Sequence, residues 1–155
     1  MSAFSARVQS TAVVPAARQE IWQALTDPVL LPKLTPLLRH IDADGDRWRW
    51  HLGAISALGV EISPVFTEQM VFQPQTRISY THSPPAGARE YAGAEGVYAL
   101  SDAEHGTNLS IELTLTVELP LPRLSAPAVE RIIRTTMDRT GDKFSANLLK
   151  HLGVR

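Results

Sequence analysis

The chain has 155 residues, of which 15 are basic and 16 acidic, so its formal net charge is -1. A chain of this length can bury one core, and we expect residues 1–155 to form a single domain. The balanced charge creates no field that would attract nucleic acid, and no stretch approaches the roughly 18 apolar residues of a membrane span.

The chain contains no cysteine, which excludes disulfides, thiolate metal sites and a cysteine nucleophile. Its N-terminal segment lacks a basic region followed by a long apolar run, so no signal peptide is predicted. We therefore expect a soluble, cytoplasmic protein.

The first part of the chain predicts a strand followed by two short helices. Residues 4–14 are typical of a strand, and Pro15 stands where a helix can begin, because the first helical turn does not use the missing N–H. Apolar residues then recur at helical spacing as far as Asp27-Pro28, which ends the helix. Residues 29–36 predict a short helical turn that leads into a loop.

From residue 37 to residue 119 the apolar residues alternate with polar ones, which indicates antiparallel strands with one buried face. Asp44-Gly45 is a hairpin signal, and the strand that follows places Trp48 and Trp50 on one face. Strand candidates are residues 37–42, 47–52, 60–72 (interrupted at Pro64), 78–82, 90–100 and 109–119.

The last segment, residues 125–152, predicts a long amphipathic helix. Ser125 is a candidate N-cap, and apolar residues at three-four spacing from Val129 to Leu152 form the core face. Gly141 interrupts the helix at a cost of roughly 1 kcal/mol relative to Ala. It is therefore expected to mark a bend or a close contact.

The order of elements resembles that of the Bet v 1-like, or START-like, helix-grip superfamily (SRPBCC), which includes the polyketide cyclase/dehydrase and lipid-transport proteins. The local carriers of this resemblance are residues 14–28, 96–100, 106–109 and 119–122. It implies an α+β fold in which a curved antiparallel sheet of about seven strands wraps a long C-terminal helix, with two short helices after the first strand. One departure is Leu34-Thr35-Pro36, where many relatives place a Trp before the proline.

The resemblance also implies an apolar cavity between the sheet and the C-terminal helix, which is a common site for small ligands. Strand parity and helical spacing then select the residues that face this space. They are Trp48, Trp50, Tyr80, Tyr98, Leu113, Ile133, Met137 and Phe144. The alternative for the tryptophan pair is that both side chains simply fill the core.

Four side chains are candidates for acid/base chemistry in such a cavity: Glu68, Glu95, His82 and Tyr80. A carboxyl group in an apolar pocket has a raised pKa, as a general acid requires. The competing interpretation, which we favour from the sequence, is that Glu68 and Glu95 lie on the wet face and that His82 is exposed.

No cofactor or metal site is predicted. The five histidines form no ligand pair at metal-binding spacing, and the glycines form no phosphate-binding loop. No serine lies in a nucleophile elbow. The basic and aromatic residues of 47–51 alternate, so they fall on opposite faces of a strand and do not build a nucleic-acid platform.

Three functions remain open from the sequence. The first is binding of a small hydrophobic molecule (a lipid, isoprenoid, quinone or aromatic polyketide-like compound) in the cavity. The second is a cyclase- or dehydratase-like enzyme that uses the same cavity, and the third is a protein-interaction module with a filled core. The sequence does not define an oligomeric state.

Overall fold

The computed structural model describes residues 1–154. Strands and helices follow one another in the order β1 (Ser2–Val14), α1 (Arg18–Leu25), α2 (Leu30–Leu34), β2 (Leu38–Asp44), β3 (Arg47–Leu52), β4 (Ile55–Ala57), β5 (Val60–Ile62), β6 (Val65–Gln73), β7 (Arg77–His82), β8 (Ala92–Ala103), β9 (Gly106–Leu119) and α3 (Ala126–Leu152). A short 3-10 turn, Arg123–Ser125, precedes α3.

Seven of the strands form one antiparallel sheet in the order β1-β9-β8-β7-β6-β3-β2. Its inner face packs against α3, and the two short helices follow the first strand. The predicted helix-grip class is therefore confirmed. No helix within residues 1–154 is both long and apolar enough to cross a bilayer.

The alternation in β9 explains why this strand lies in the sheet interior. Leu109, Leu115, Val117 and Leu119 are buried, whereas the intervening polar residues keep partial contact with solvent. Gly106 begins the strand with φ of 144°, and a Cβ there would collide with the carbonyl of Val14. Only glycine allows β9 to start this close to the end of β1.

Helix α3 buries one stripe of its surface, as the spacing predicts. Ser125 is the N-cap residue but makes no side-chain cap, and Gly153 ends the helix in the left-handed conformation. The buried residues are Val129, Ile133, Met137, Phe144 and Leu148.

Two local features differ from the sequence expectation. Helix α1 begins at Arg18 and not at Pro15, because Ala17 is still extended. The segment before β6 contains a small hairpin, β4–β5, that forms a separate two-stranded sheet. Leu58 and Gly59 both have positive φ at its turn, and three-residue strands are too short to display a period of two.

Candidate functional site

A cavity of about 200 Å³ lies between the inner face of the sheet and α3. Most of its wall is apolar and comes from both layers of the fold. The sheet and the β1 edge contribute Val8, Trp50, Leu52, Phe66, Ala94, Tyr98, Ile111, Leu113 and Leu115; the helices and the connection after α2 contribute Leu31, Leu37, Met137 and Phe144.

One side of the cavity is polar and exposed. It runs along α3 and faces Gln9 and Ser10 of β1. The α3 residues on this side are Asp138, Thr140, Gly141, Asp142 and Ser145. We take this polar rim as the mouth of the cavity.

The cavity explains an irregularity in β9. Ile111 and Leu113 belong to the apolar face of the strand, but both are only half-buried while Leu109 and Leu115 are buried. Both half-buried residues border the cavity. The face is therefore apolar along its whole length, yet α3 covers its middle less closely than its ends.

The structure places the eight predicted ligand-binding residues in two groups. Five line the cavity: Trp50, Tyr98, Leu113, Met137 and Phe144. The other three, Trp48, Tyr80 and Ile133, are buried in the core but do not form part of the cavity wall. Trp48 has a structural partner, since its indole Nε1 donates a hydrogen bond to the carbonyl of Gly45 at 3.2 Å.

Glu68 is completely buried on the inner face of the sheet, so the sequence-based preference for a wet-face position was wrong. The strand keeps Glu68 in phase with Phe66 and Met70, which are also buried. Removal of the carboxyl group from water raises its pKa to about 9, and the nearby backbone N–H of Ala94 opposes that shift without forming a full hydrogen bond. Glu68 is therefore a neutral acid at pH 7.

Tyr80 and Trp50 lie beside Glu68 on neighbouring strands. The rings of Trp50 and Tyr80 are 5.1 Å apart between centroids, and Tyr80 also contacts Tyr98 at 5.6 Å. Burial raises the pKa of the Tyr80 phenol well above its usual value. Within residues 1–154, the Trp50 Nε1 and the Glu68 carboxyl oxygens have no hydrogen-bond partner of good geometry, and the Tyr80 hydroxyl has only the nearby Tyr98 hydroxyl.

His82 is half-buried and paired, in contrast to the exposed position that we favoured from the sequence. Its Nε2 lies 2.9 Å from Oε1 of Glu90, a residue that the sequence did not single out. Glu90 also accepts hydrogen bonds from the backbone N–H and the hydroxyl of Thr67, each at 2.8 Å. Burial alone would raise the pKa of Glu90, but these hydrogen bonds outweigh it and lower the pKa.

The fourth acid/base candidate, Glu95, is exposed, as the wet-face interpretation expected. Its catalytic role and those of Glu68, His82 and Tyr80 stay predictions. No group of three or more His, Asp or Glu residues in the described part of the chain is arranged to hold a metal ion.

Gly141 was expected to mark a bend or a close contact, and the structure excludes the close contact. A Cβ at this position would meet nothing within 4 Å, so no close contact requires the glycine. Gly141 lies on the polar rim of the cavity, where the missing side chain widens the opening.

The structure also adds wall residues that the sequence did not identify, namely Leu31, Thr35, Leu37 and Leu38 around α2 and the start of β2. No local pattern selects these residues, although one of them, Thr35, lies in the segment that departs from the family resemblance.

Solved structures of similar fold cover nearly the whole chain. A START superfamily protein from Mycobacterium smegmatis aligns with a TM-score of 0.67 at 17% identity over 93% of this chain and 97% of its own. The Zhui aromatase/cyclase from Streptomyces sp. R1128 aligns with a TM-score of 0.66 at 14% identity over 95% and 93%. A Deinococcus radiodurans protein aligns with a TM-score of 0.62 at 20% identity over 96% and 98%.

No curated protein matches the sequence significantly. The profile of the family described as "Polyketide cyclase / dehydrase and lipid transport" matches residues 5–148. This match covers all seven strands of the main sheet except the first residues of β1, together with most of α3. The chain therefore belongs to the polyketide cyclase/dehydrase and lipid transport family, and its fold is similar to that of the START superfamily protein from Mycobacterium smegmatis.

Proposed function

We propose that this protein binds a small hydrophobic molecule (a lipid, isoprenoid, quinone or aromatic polyketide-like compound) in the cavity between the sheet and α3. The observation that carries the proposal is the cavity of about 200 Å³ with a mostly apolar wall. Pockets that bind small molecules combine such walls with a few placed polar groups. In this site the Trp50 indole lies in the wall, and the other polar groups, such as Ser10, Asp138 and Asp142, lie at the mouth.

The test is native mass spectrometry of gently purified protein, followed by solvent extraction of whatever co-purifies. A stoichiometric apolar adduct is the expected result. Leu113→Trp, which fills the cavity from β9, should lose the adduct. Thr114→Trp is the matched control, because Thr114 points to the other face of the same strand and does not line the cavity.

Two results would contradict the proposal. One is a clean apo mass with no gain in melting temperature across a panel of lipids, quinones and polyketides. The other is an adduct that Leu113→Trp retains at the wild-type level while Thr114→Trp loses it.

A cyclase- or dehydratase-like activity in the same cavity is the second candidate. The observation that favours it is the buried, neutral Glu68 beside the Tyr80 phenol, since a neutral carboxyl group can donate a proton at pH 7. Turnover of the co-purifying compound should fall at least tenfold in Glu68→Gln, while Glu95→Gln, on the exposed side, should keep wild-type turnover. Unchanged turnover in Glu68→Gln would remove Glu68 from the mechanism.

The third function considered from the sequence, an interaction module, was tied to a filled core. The cavity removes the observation that would have favoured that function.

A further inference from the structure

Three polar side chains on the inner face of the sheet are buried and lack partners of good geometry within residues 1–154. They are Trp50 on β3, Glu68 on β6 and Tyr80 on β7. Buried polar groups in folded proteins are nearly always paired, and each unpaired one costs free energy. Tyr80 has the Tyr98 hydroxyl nearby, whereas a group that also lines the cavity can receive its missing partner from a bound molecule.

Of these three residues, Trp50 itself forms part of the cavity wall. Only 6% of the residue is exposed and its Nε1 is buried, so a ligand reaches this atom only when the wall shifts to admit it. An indole N–H can only donate a hydrogen bond. A molecule that satisfies it must therefore present an acceptor, such as a carbonyl or ether oxygen.

Glu68 and Tyr80 stand directly behind this wall. Tyr80 contacts both Trp50 and Tyr98, and the Glu68 carboxyl lies near Ala94; Trp50, Tyr98 and Ala94 are all wall residues. Because the buried carboxyl group is neutral, it places no charge behind the wall.

The charges on the cavity wall disfavour the binding of anionic ligands. Among the wall residues in the described part of the chain, the only charged side chains are Asp138 and Asp142, and none is Lys, Arg or His. A fatty-acid carboxylate or a phosphate would be repelled by the two aspartates, and its charge would have no basic partner in the cavity.

The size of the cavity limits the ligand further. An apolar cavity of about 150 Å³ holds a benzene molecule, and pockets for drug-sized ligands have volumes of roughly 300–1,000 Å³. A cavity of about 200 Å³ therefore suits a compound of one or two rings and not a full-length lipid chain.

We infer that the cavity selects a neutral compound of one or two rings whose carbonyl-type oxygen accepts a hydrogen bond from the Trp50 indole, and that it rejects anionic lipids. This inference rests on the proposed function and specifies its ligand class. It predicts discrimination between molecules of equal hydrocarbon size by their polar group alone.

The experiment compares three probes by isothermal titration calorimetry at pH 7: 1-tetralone, its hydrocarbon analogue tetralin, and 1-naphthoate. 1-Tetralone should bind about tenfold more tightly than tetralin, the effect of one hydrogen bond, and 1-naphthoate should bind most weakly. Trp50→Phe keeps an aromatic ring but removes the N–H, so it should abolish the difference between 1-tetralone and tetralin.

Trp48→Phe is the matched control, because the Trp48 indole already has an acceptor and lies outside the cavity wall. It should keep the tenfold preference. The comparison of probes on the wild-type protein does not depend on how well either variant folds.

Equal binding of 1-tetralone and tetralin, or tightest binding of 1-naphthoate, would overturn the inference while leaving the proposed function intact. The same holds if Trp50→Phe retains the preference for 1-tetralone. Failure of all three probes to bind would overturn the inference alone, whereas the proposed function falls only with a clean apo mass and no stabilisation by the wider panel.

Discussion

The two halves of α3, divided here before Met137, use one apolar stripe for different purposes. In the first half, Val129 and Ile133 are completely buried and belong to the same core as Phe4 and Val117, which face each other on β1 and β9. In the second half, Met137 and Phe144 border the cavity, and Leu148 beyond them is buried again. The same three-four spacing therefore produces a closed core in the first half of the helix and an opening within the second.

A hydrogen bond helps to fix the closed end. The backbone N–H of Ser5 on β1 donates to Oε2 of Glu130 at 2.9 Å. Within the open half, Gly141 presents no side chain and the neighbouring residues are exposed. The difference shows that helical spacing defines which face of α3 meets the sheet, whereas the depth of contact depends on the residues opposite.

The largest expected effect concerns Glu68, beside the open half. Because its pKa is raised from 4.5 to about 9, folding binds a proton between these values and stability falls as pH rises through this window. The slope should approach roughly 1.4 kcal/mol per pH unit, and Glu68→Gln should remove it. Urea unfolding at pH 5, 7 and 8.5 measures the slope.

The exposed Glu95 provides the control for that experiment. Glu95→Gln should keep the wild-type slope. If Glu68→Gln and the wild-type protein lose stability equally as the pH rises, the carboxyl group is not held neutral by burial.

A pair of truncations should separate the closed half from the open one. Ile133→Ala removes a fully buried side chain and should lower the free energy of unfolding by about 3 kcal/mol. Leu113→Ala should cost less than about 2 kcal/mol, because Leu113 is half-buried beside existing empty space. Equal losses in urea unfolding would mean that the two halves are packed alike.

The smallest expected effect is a gain. Gly141→Ala should raise the free energy of unfolding by up to about 1 kcal/mol, since alanine favours the helix and its Cβ meets no neighbour. Gly106→Ala is the opposing control, because its Cβ would collide with Val14. A loss of melting temperature in Gly141→Ala would show that the open half needs the glycine after all.

Much of the fold could be predicted from the sequence, because its two strongest patterns are long. Strand β9 alternates over its full length, and the stripe on α3 continues over most of the helix. The β4–β5 hairpin could not be predicted, since each strand has three residues and its turn places Leu58 at positive φ.

The candidate site was predictable only in part. Glu68 has buried neighbours two residues away on each side, but Pro64 made the phase of β6 ambiguous before the structure was known. The Glu90 contact with His82 depends on how the loop between β7 and β8 folds back, which no local pattern encodes. The unpaired polar groups could not be predicted either, because a sequence does not show which hydrogen-bond donors lack acceptors.

The pairing of β1 with β9 also bears on how the chain reaches its native state. Ser2 faces Leu119 and Val14 faces Thr107, so the outermost strand finds its partner roughly a hundred residues later. Such distant contacts give a high relative contact order, which slows folding because a long loop must close before the contacts form. During synthesis β1 leaves the ribosome long before β9, so its backbone N–H and C=O groups have no strand partner. We therefore expect β1 to be the segment that depends most on protection from aggregation until β9 emerges.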